Sequence, residues 1–284
     1  MRLTDFLEDI YVPLKLRGGS TNTLRLYRHS IKRFSDYLNR DAMLSDFDDL
    51  VVSRYLANLA GLSPYSIEKE RAQLCAMWNF AARKGIVSKF PTVYPTKLPE
   101  RLPLAWEQTD LSQLLESCAK EKGEIAGVSA ALWWVTLHLV MWDTGERIGA
   151  ILKLKWDNLH GNRLMVPAEI RKGKTRDRLF ELDARTVNQM RSIDQPNRSL
   201  IFPWHQAPNH IYYHYSRILR RAGLPTDCKS KFHRMRKTVA TFFAAAGGDA
   251  SKLLDHQNPK TTQRYLDQRM LPETQAKDLL FRIF

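Results

Sequence analysis

Residues 232–266 read FHRMRKTVATFFAAAGGDASKLLDHQNPKTTQRYL, and their apolar spacing predicts three consecutive short helices. In the first helix, His233 and Arg236 are three residues apart and therefore share one face. The residues predicted to point inward from this helix are Val239, Phe242, Phe243 and Ala246. The segment thus presents an imidazole and a guanidinium side by side.

The next two helices are predicted from their caps. Two glycines stop the first helix, and Asp249 caps a second helix that is expected to end at His256. Asn258 followed by proline is an N-cap and first-turn signal, which predicts a third helix with Tyr265 near its middle. A phenol, two imidazoles and a guanidinium are therefore gathered on consecutive elements.

This combination resembles the tyrosine recombinase family of phage integrases, Xer-type and Cre-like enzymes. The family pattern around its tyrosine is roughly LLGHxxxxTTxxY, and LLDHQNPKTTQRY, which ends at Tyr265, matches it without a gap. Upstream, TGERIGAILKLKWDNL over residues 144–159 resembles the family's first box, TGLRxxELxxLxWxDI, and supplies Arg147. Any one box would be weak, but their joint spacing over most of the chain beyond residue 105 is specific.

The resemblance implies a site-specific recombinase that cuts and rejoins DNA through a 3′-phosphotyrosine intermediate and a Holliday junction. In that reading Tyr265 is the nucleophile, and Arg147 and Arg236 bind the non-bridging phosphate oxygens. His256 donates a further hydrogen bond to the phosphate, and His233 acts as acid and base near the tyrosine. No metal or other cofactor is expected.

Residues 163–182 carry the clearest strand signal, with LMVPAEI and RLFEL separated by a polar turn. The family has a lysine on such a β-hairpin, which protonates the departing 5′ oxygen. Lys172 and Lys174 both fit this place. We favour Lys172, because it is predicted to end the first strand.

The predicted fold is mainly α with a small β-sheet, in the two-domain architecture of tyrosine recombinases. Residues 1–93 read as short helices, and GLSPYSIEKERAQLCAMWNFAARKG resembles the family's helical core-binding domain. Prolines recur at positions 91, 95, 99 and 103, so residues 94–104 are predicted to form an extended linker. Residues 105–284 then form a mixed α/β catalytic domain with a C-terminal tail.

Basic side chains are predicted to contact DNA on both domains. The helix that begins near Thr21 has an apolar stripe, with cations falling largely outside it, and the polar turn of the hairpin adds further cations. The alternative is that these side chains simply form a solvated surface. The predicted DNA-binding residues are Arg25, Arg28, Lys32, Arg33, Lys174 and Arg176.

Composition agrees with a polyanionic partner. The chain has 284 residues and a formal net charge of +14, from 44 Lys+Arg against 30 Asp+Glu. Such a charge favours nucleic-acid binding through counterion release, although many basic proteins bind none. The cysteines are three in number, widely spaced and without a CxxC motif, so neither a disulfide framework nor a zinc site is indicated.

The sequence gives no signal for secretion or membrane insertion. The N-terminus lacks the apolar core of a signal peptide, so we expect a cytoplasmic protein. Residues 126–142 are apolar on all sides but shorter than the roughly 20 residues that span a membrane, which predicts a buried helix. Since the core-binding pattern starts near residue 1, we also expect no separate domain that binds DNA arm sites.

The chain departs from the family pattern at three positions. Ala150 stands where an acidic residue usually supports the arginines, and Glu146 is a candidate replacement. Lys237 stands where many relatives have histidine, and Asp255 where they have glycine. None of these changes removes a residue of the proposed site.

Three interpretations follow. The first is a recombinase acting on double-stranded DNA sites as a homotetramer, for which an accessory DNA-bending or directionality factor would be a further partner. The second is a telomere resolvase or type IB topoisomerase, which share the chemistry. The third is a DNA-binding regulator with weakened catalysis, favoured by Ala150. By analogy, the apolar tail, residues 276–284, is expected to dock on a neighbouring protomer or on its own domain.

Overall fold

The chain forms two compact units, residues 1–101 and residues 102–284. The computed structural model describes residues 1–17, 19, 21–173, 176–256 and 258–272. Two predictions therefore lie outside the described residues, namely the alternative hairpin lysine, Lys174, and the docking of the tail at 276–284. The boundary between the units falls inside the segment that we predicted as the linker.

The regular secondary structure of the first unit, among its described residues, is helical. Its elements are α1 (Leu3–Asp5), a π-helical turn (Phe6–Tyr11), α2 (Val12–Lys15), α3 (Thr21–Leu38), a 3-10 turn (Leu44–Asp46), α4 (Asp49–Asn58) and α5 (Pro64–Arg83). The Asp48 carboxylate caps α4, and the Ser63 hydroxyl caps α5, as the sequence predicts for the latter. Ile31 and Phe34 of α3 are buried in the shared apolar core.

The proline-rich segment has no regular secondary structure, as predicted, but its first half is attached to the first unit. The carboxylate of Asp49 accepts hydrogen bonds from Thr92, and that of Glu68 accepts one from the backbone N–H of Thr96 at 2.8 Å. The Tyr65 hydroxyl donates to the carbonyl of Pro99. Residues 92–99 are therefore held against α4 and α5.

The second unit combines helices with two small antiparallel sheets. Its helices are α6 (Gln108–Ala119), α7 (Ala130–Thr144), α8 (Ile148–Ile151), α9 (Ala184–Ser192), α10 (His210–Arg221), α11 (Phe232–Ala245), α12 (Ala250–Leu254) and α13 (Pro259–Gln263). Its strands are β1 (Glu124–Ile125), β2 (Val128–Ser129), β3 (Leu159–His160), β4 (Arg163–Val166) and β5 (Arg178–Glu181). Short 3-10 turns lie at Trp156–Asn158, Ala168–Ile170 and Gln268–Met270.

The larger sheet has the order β3-β4-β5, with Val166 paired to Arg178 at the end of the predicted hairpin. The hairpin is confirmed, but β4 ends at Val166 because Pro167 cannot continue the ladder. The prediction that Lys172 ends this strand is therefore wrong. Lys172 lies in the loop between β4 and β5. The short strand β3 carried no signal that we recognised.

Helix α7 forms the centre of the second unit. Most of its side chains are buried, as its apolar sequence predicts, but Leu132 and Trp142 are exposed, and the helix begins at Ala130 rather than at residue 126. The residues before it form the β1–β2 hairpin, whose turn places Ala126 and Gly127 at φ values of 51° and 76°. Trp134 of α7 is stacked on Phe232, the first residue of α11, and so fixes the helix that carries the HxxR motif.

The three helices predicted from the C-terminal stretch are present, with two corrections. Helix α11 buries Val239 as expected, yet Phe243 and Ala246 are exposed because the buried face rotates toward Met235 and Arg236. Helix α13 ends at Gln263, so Tyr265 lies two residues beyond it and not near its middle. The mainly α fold with a small sheet is confirmed.

Candidate functional site

Arg236 is the most deeply buried member of the predicted set, with a side chain only 1% exposed. Its guanidinium donates to the carbonyls of Gly145 and Leu254, and it lies 3.8 Å from the Glu146 carboxylate. Burial, followed by the charge of Arg147, lowers the pKa of Arg236 to about 10, so it stays charged near neutrality. Its Nε has no hydrogen-bond partner among the described residues.

Arg147 enters the same site from the turn between α7 and α8. Gly145 adopts a left-handed φ of 60°, and a Cβ there would lie 3.4 Å from Val239, so the turn packs closely against α11. Arg147 follows as the N-cap of α8 and is half-buried. Within the described part of the chain its guanidinium forms no hydrogen bond or ion pair, so its donors are available to a ligand.

Glu146 supplies the carboxylate that the family pattern would place at position 150. It is 2% exposed, and its Oε1 accepts from Arg171 Nε at 2.7 Å. Its Oε2 accepts from the backbone N–H of Arg147 at 3.1 Å and faces Arg236. Ala150 is buried among apolar residues. Glu146 thus contacts the Arg236 guanidinium and the backbone of Arg147, and its replacement of the support that Ala150 cannot give stays a prediction.

His256 follows α12 and directs one ring nitrogen toward a side-chain partner. Its Nδ1 lies 3.0 Å from the Thr262 hydroxyl, whereas its buried Nε2 has no partner among the described residues. A hydroxyl that donates to Nδ1 places the ring hydrogen on Nε2, which can then donate to a ligand. Burial, followed by the charges of Arg236 and Arg147, lowers the pKa of His256 to about 4.

Tyr265 lies between the two predicted histidines of its own chain. The ring centroids of Tyr265 and His256 are 4.7 Å apart, and those of Tyr265 and His233 are 5.0 Å apart. The Cζ of Arg236 is 5.8 Å from the tyrosine ring centroid. The structure therefore brings the predicted phenol, both imidazoles and one guanidinium together within a single protomer.

His233 lies at the open side of this group and is solvent-exposed. Desolvation is nevertheless the largest cause that lowers its pKa to about 4, followed by the charges of Lys237 and Arg236. The charges of Arg147 and Lys172 act in the same direction. His233 is thus neutral near pH 7 and able to accept a proton.

Lys172 is exposed on the β4–β5 loop. Its charge contributes to the lowered pKa of His233, which places the lysine within electrostatic range of the site. It has no ion-pair partner among the residues that the structure describes. Both properties are those expected of an ammonium group that meets a substrate.

Arg171, which links three parts of the site, was not identified from the sequence. Asp255 was noted there only as a departure from the family pattern, without a role. The guanidinium of Arg171 joins Glu146 to Asp255, with its Nη1 2.7 Å from Asp255 Oδ2. Asp255 is also paired with Arg176. A polar residue at a position where the family has glycine was the only available signal.

Asp267 is a second missed residue, two positions after Tyr265. Its fully buried carboxylate accepts from the backbone N–H of Ala105 at 3.0 Å, and its own N–H donates to the Thr241 hydroxyl. Hydrogen bonding from Arg269 is the largest cause that lowers the pKa of Asp267 to about 2. These bonds fix the backbone that follows the tyrosine.

The predicted DNA-binding cations on α3 are all engaged locally. Arg28 is 2.7 Å from Glu8, Lys32 is 2.8 Å from Asp36, and Arg33 is 3.4 Å from Glu70. Arg25 donates to the side chain of Asn22. In the second unit, Arg176 is likewise paired with Asp255. These contacts do not test whether the residues bind DNA, which stays a prediction.

Two further properties of the described residues concern metal binding and membrane crossing. No group of three or more His, Cys, Asp or Glu side chains is arranged to hold a metal ion within the described ranges. In the same ranges, no helix combines the length and apolarity needed to cross a bilayer.

Comparison with known proteins identifies both halves of the chain. A profile of the phage integrase family matches residues 106–271, and a profile of the phage integrase SAM-like domain matches residues 2–97. The tyrosine recombinase XerD of Listeria innocua is 23% identical over 93% of this chain and 92% of its own length.

Solved structures share the fold. A lambda integrase dimer bound to a COC′ core site superposes with a TM-score of 0.73 at 17% identity, over 97% of this chain and 99% of the other. A lambda integrase tetramer bound to a Holliday junction gives the same TM-score at 18% identity, over 97% of this chain and 80% of the other.

Proposed function

Because the chain belongs to the phage integrase family, it is a site-specific tyrosine recombinase, and we propose that Tyr265 is its nucleophile. One observation carries this proposal: the Tyr265 ring lies between His233 and His256, beside the guanidinium of Arg236, within one chain. The phenol oxygen attacks a backbone phosphorus, the 3′ phosphate becomes bonded to the tyrosine, and a 5′ hydroxyl is released. The phosphotyrosine bond conserves the phosphodiester energy, so rejoining needs no nucleotide cofactor.

Arg147 and Arg236 stabilise the charge that develops as phosphorus becomes five-coordinate. Among the described residues the guanidinium of Arg147 has no partner, and its donors match phosphate oxygens bidentately. Arg236 is held by two backbone carbonyls, so it is preorganised and costs little to orient during the reaction. His256 adds a donor through its unpartnered Nε2.

His233 and Lys172 divide the proton transfers. A phenol ordinarily ionises near pH 10, so attack at neutral pH needs a base, and the neutral imidazole of His233 is adjacent to the tyrosine ring. Lys172 has no ion-pair partner among the described residues, and we assign it to the departing 5′ oxygen. Lys174 lies outside the described residues and is the alternative for this role.

We propose double-stranded DNA recombination sites as the substrate and a homotetramer on DNA as the active assembly. The lambda integrase tetramer on a Holliday junction supports this assembly through the shared fold. The chain's net charge of +14 favours DNA binding, because cations that neutralise phosphates release counterions from the DNA. A regulator without catalysis is less well supported, because Glu146 replaces the carboxylate whose absence at position 150 was its main argument.

The test is covalent trapping on DNA. Duplexes bound by the Tyr265→Phe protein are selected from a randomised pool, and the recovered duplex is then nicked near its centre so that cleavage releases a short fragment. We expect the native protein to form an adduct that survives denaturation, with the modified peptide containing Tyr265. The Tyr265→Phe protein should bind the same duplex and form none.

A matched control is Tyr213→Phe, which removes an exposed hydroxyl from α10 of the same unit. It should form the adduct at the native rate. If the native protein binds the selected duplex without any adduct, the nucleophile assignment is wrong and the regulator is favoured.

A further inference from the structure

The loop that carries Lys172 is not held by strand pairing. Strand β4 ends at Val166 and β5 begins at Arg178, so residues 167–177 extend beyond the ladder. Within the described part of this loop, the Ala168 N–H donates to Asp177 Oδ1 at 2.7 Å and so closes its base. The 3-10 turn at Ala168–Ile170 adds a hydrogen bond from the Arg171 N–H to the Ala168 carbonyl at 3.0 Å, and side-chain contacts of Arg171 hold the loop to the rest of the unit.

Arg171, the residue before Lys172, makes these contacts. Its side chain is 5% exposed, and Nε donates to Glu146 Oε1 at 2.7 Å. Its Nη1 donates to Asp255 Oδ2 at 2.7 Å and to the Arg176 carbonyl at 3.1 Å. One buried guanidinium thus joins the loop to the turn before Arg147, to the turn before His256 and to the far side of the loop itself.

Asp255 holds the other end of this connection in an unusual conformation. It has a left-handed φ of 58° at the end of α12, a region that favours glycine and that aspartate tolerates better than most residues. Its carboxylate is 9% exposed and also pairs with Arg176. The backbone thus follows the path that a glycine would take, while the side chain adds two ion pairs to the Lys172 loop.

The ion pairs of Glu146 and Asp255 also determine which cations around the site have a carboxylate partner. Glu146 pairs with Arg171, and Asp255 pairs with Arg171 and Arg176 and lies 3.9 Å from Arg178. Arg147 and Lys172 have no such carboxylate among the described residues, so the net positive charge remains where the phosphate is to bind. Without Asp255, Arg171 and Arg176 would repel each other and Lys172 across the loop.

We propose that Arg171, clamped by Glu146 and Asp255, is a positioning residue that places Lys172 for proton transfer to the departing oxygen. The inference rests on the proposed function, since it takes Lys172 as the acid. In that step the Tyr265 oxygen bonds to phosphorus while the bond from phosphorus to the 5′ oxygen breaks. The 5′ oxygen takes a proton from the lysine ammonium, which becomes a neutral amine.

A substrate with a better leaving group tests this role directly. The selected duplex is synthesised twice, once with its normal phosphate and once with sulfur in place of the bridging 5′ oxygen at the mapped cleavage position. A thiolate leaves without being protonated, so loss of the acid is harmless on the sulfur substrate. Cleavage is followed in single-turnover reactions with the full-length protein.

The main variant is Asp255→Gly, because glycine adopts the left-handed conformation without strain and the fold is retained. On the normal phosphate we expect its cleavage rate to fall by about 10–100-fold, part of the roughly 10²–10⁴-fold that a general acid supplies. On the sulfur substrate the rate should return to within about threefold of the native protein. Arg171→Gln and Lys172→Ala should follow the same pattern.

The matched control is Asn197→Gly, which exchanges another left-handed residue, at φ 61°, for glycine away from the site. It should cleave both substrates at the native rate. If Asp255→Gly stays slow on the sulfur substrate while Lys172→Ala is rescued, or if it cleaves the normal phosphate at the native rate, the positioning role is wrong. Failure of Lys172→Ala to be rescued would also overturn it, whereas the absence of any adduct with native protein would instead overturn the proposed function.

Discussion

Helix α3 of the first unit and the candidate site of the second both gather several cations, but the two groups are partnered differently. On α3, Arg28 and Lys32 are exposed and lie 2.7 and 2.8 Å from carboxylates. In the site, Arg147 and Lys172 have no ion-pair partner among the described residues. On the proposed function, phosphate binds where positive charge remains after local pairing, and not where basic residues are most numerous.

Burial separates the two groups further. The Arg28–Glu8 pair is solvated, with side chains 58% and 39% exposed, so water and salt screen it. The Arg171–Glu146 pair has side chains 5% and 2% exposed. A buried pair must remain complete, because removing one partner leaves an uncompensated charge in the interior. We therefore expect the Arg28–Glu8 pair to be dispensable and the Arg171–Glu146 pair to be structural.

The largest effect should come from Glu146→Ala. This change leaves Arg171 and Arg236 without their shared buried carboxylate, and we expect the free energy of unfolding to fall by about 3–5 kcal/mol. Denaturant titration of the full chain measures the loss. The matched change Glu8→Ala, which removes the partner of Arg28, should leave the unfolding midpoint unchanged within error. Equal losses in the two variants would show that burial does not distinguish the pairs.

Next in size is the kinetic effect of Arg147→Gln. The guanidinium of Arg147 has no protein partner in the described ranges, so its removal should leave the unfolding midpoint intact. Cleavage of the selected nicked duplex should slow by about 10²–10³-fold, the usual cost of one preorganised donor to a developing anion.

Arg236→Gln gives the matched comparison inside the site. It removes a buried guanidinium that donates to the carbonyls of Gly145 and Leu254, so both cleavage and stability should decline. Should Arg147→Gln unfold the protein as readily as Arg236→Gln, the distinction between a ligand-facing and a structural arginine would be lost.

Site residues differ in how well they could be predicted from the sequence. The resemblance to the family's boxes identified Arg147, His233, Arg236, His256 and Tyr265, and helix spacing predicted that His233 and Arg236 share one face. The structure brings Arg236, both histidines and Tyr265 together. Of these relations, the one between His233 and Arg236 is local, and local chemistry encodes it well.

Long-range partners could not be predicted in this way. Arg171 meets Asp255 across 84 positions of sequence, and Asp267 meets Ala105 across 162. No periodicity links such residues, so neither contact was foreseen. The strand end at Lys172 was wrong for a local reason, since Pro167 was read through as part of the strand and the end of the ladder was overlooked.

Acid should also destabilise the protein. Burial is the main cause that lowers the pKa values of His233, His256 and His138 to about 4 in the folded chain, against roughly 6.5 when unfolded. The folded state thus binds fewer protons, so stability is complete above pH 6.5 and is lost as pH falls from about 6.5 toward 4. Thermal unfolding at intervals between pH 7.5 and 4.5 measures this decline.

His256→Gln should reduce the slope of that decline, because one of the three groups no longer takes up a proton on unfolding. Asp267 does not interfere, since its pKa of about 2 confines its own contribution to pH values below about 4. A slope that is identical in the native and His256→Gln proteins would mean that this imidazole is not desolvated in the fold.

The smallest effect should come from the cations of α3. A phosphate can replace the Glu8 carboxylate beside Arg28 only by breaking an existing pair, so Arg28→Gln should reduce the salt slope of DNA binding by less than the roughly 0.9 expected for one full phosphate contact. Binding of the selected duplex at increasing salt concentrations measures the slope. Glu8→Gln frees the same guanidinium and should steepen the slope if α3 faces DNA. An unchanged slope in both variants would remove Arg28 from the interface, whereas a loss of 0.9 or more in Arg28→Gln would show that local pairing does not decide which cations meet phosphate.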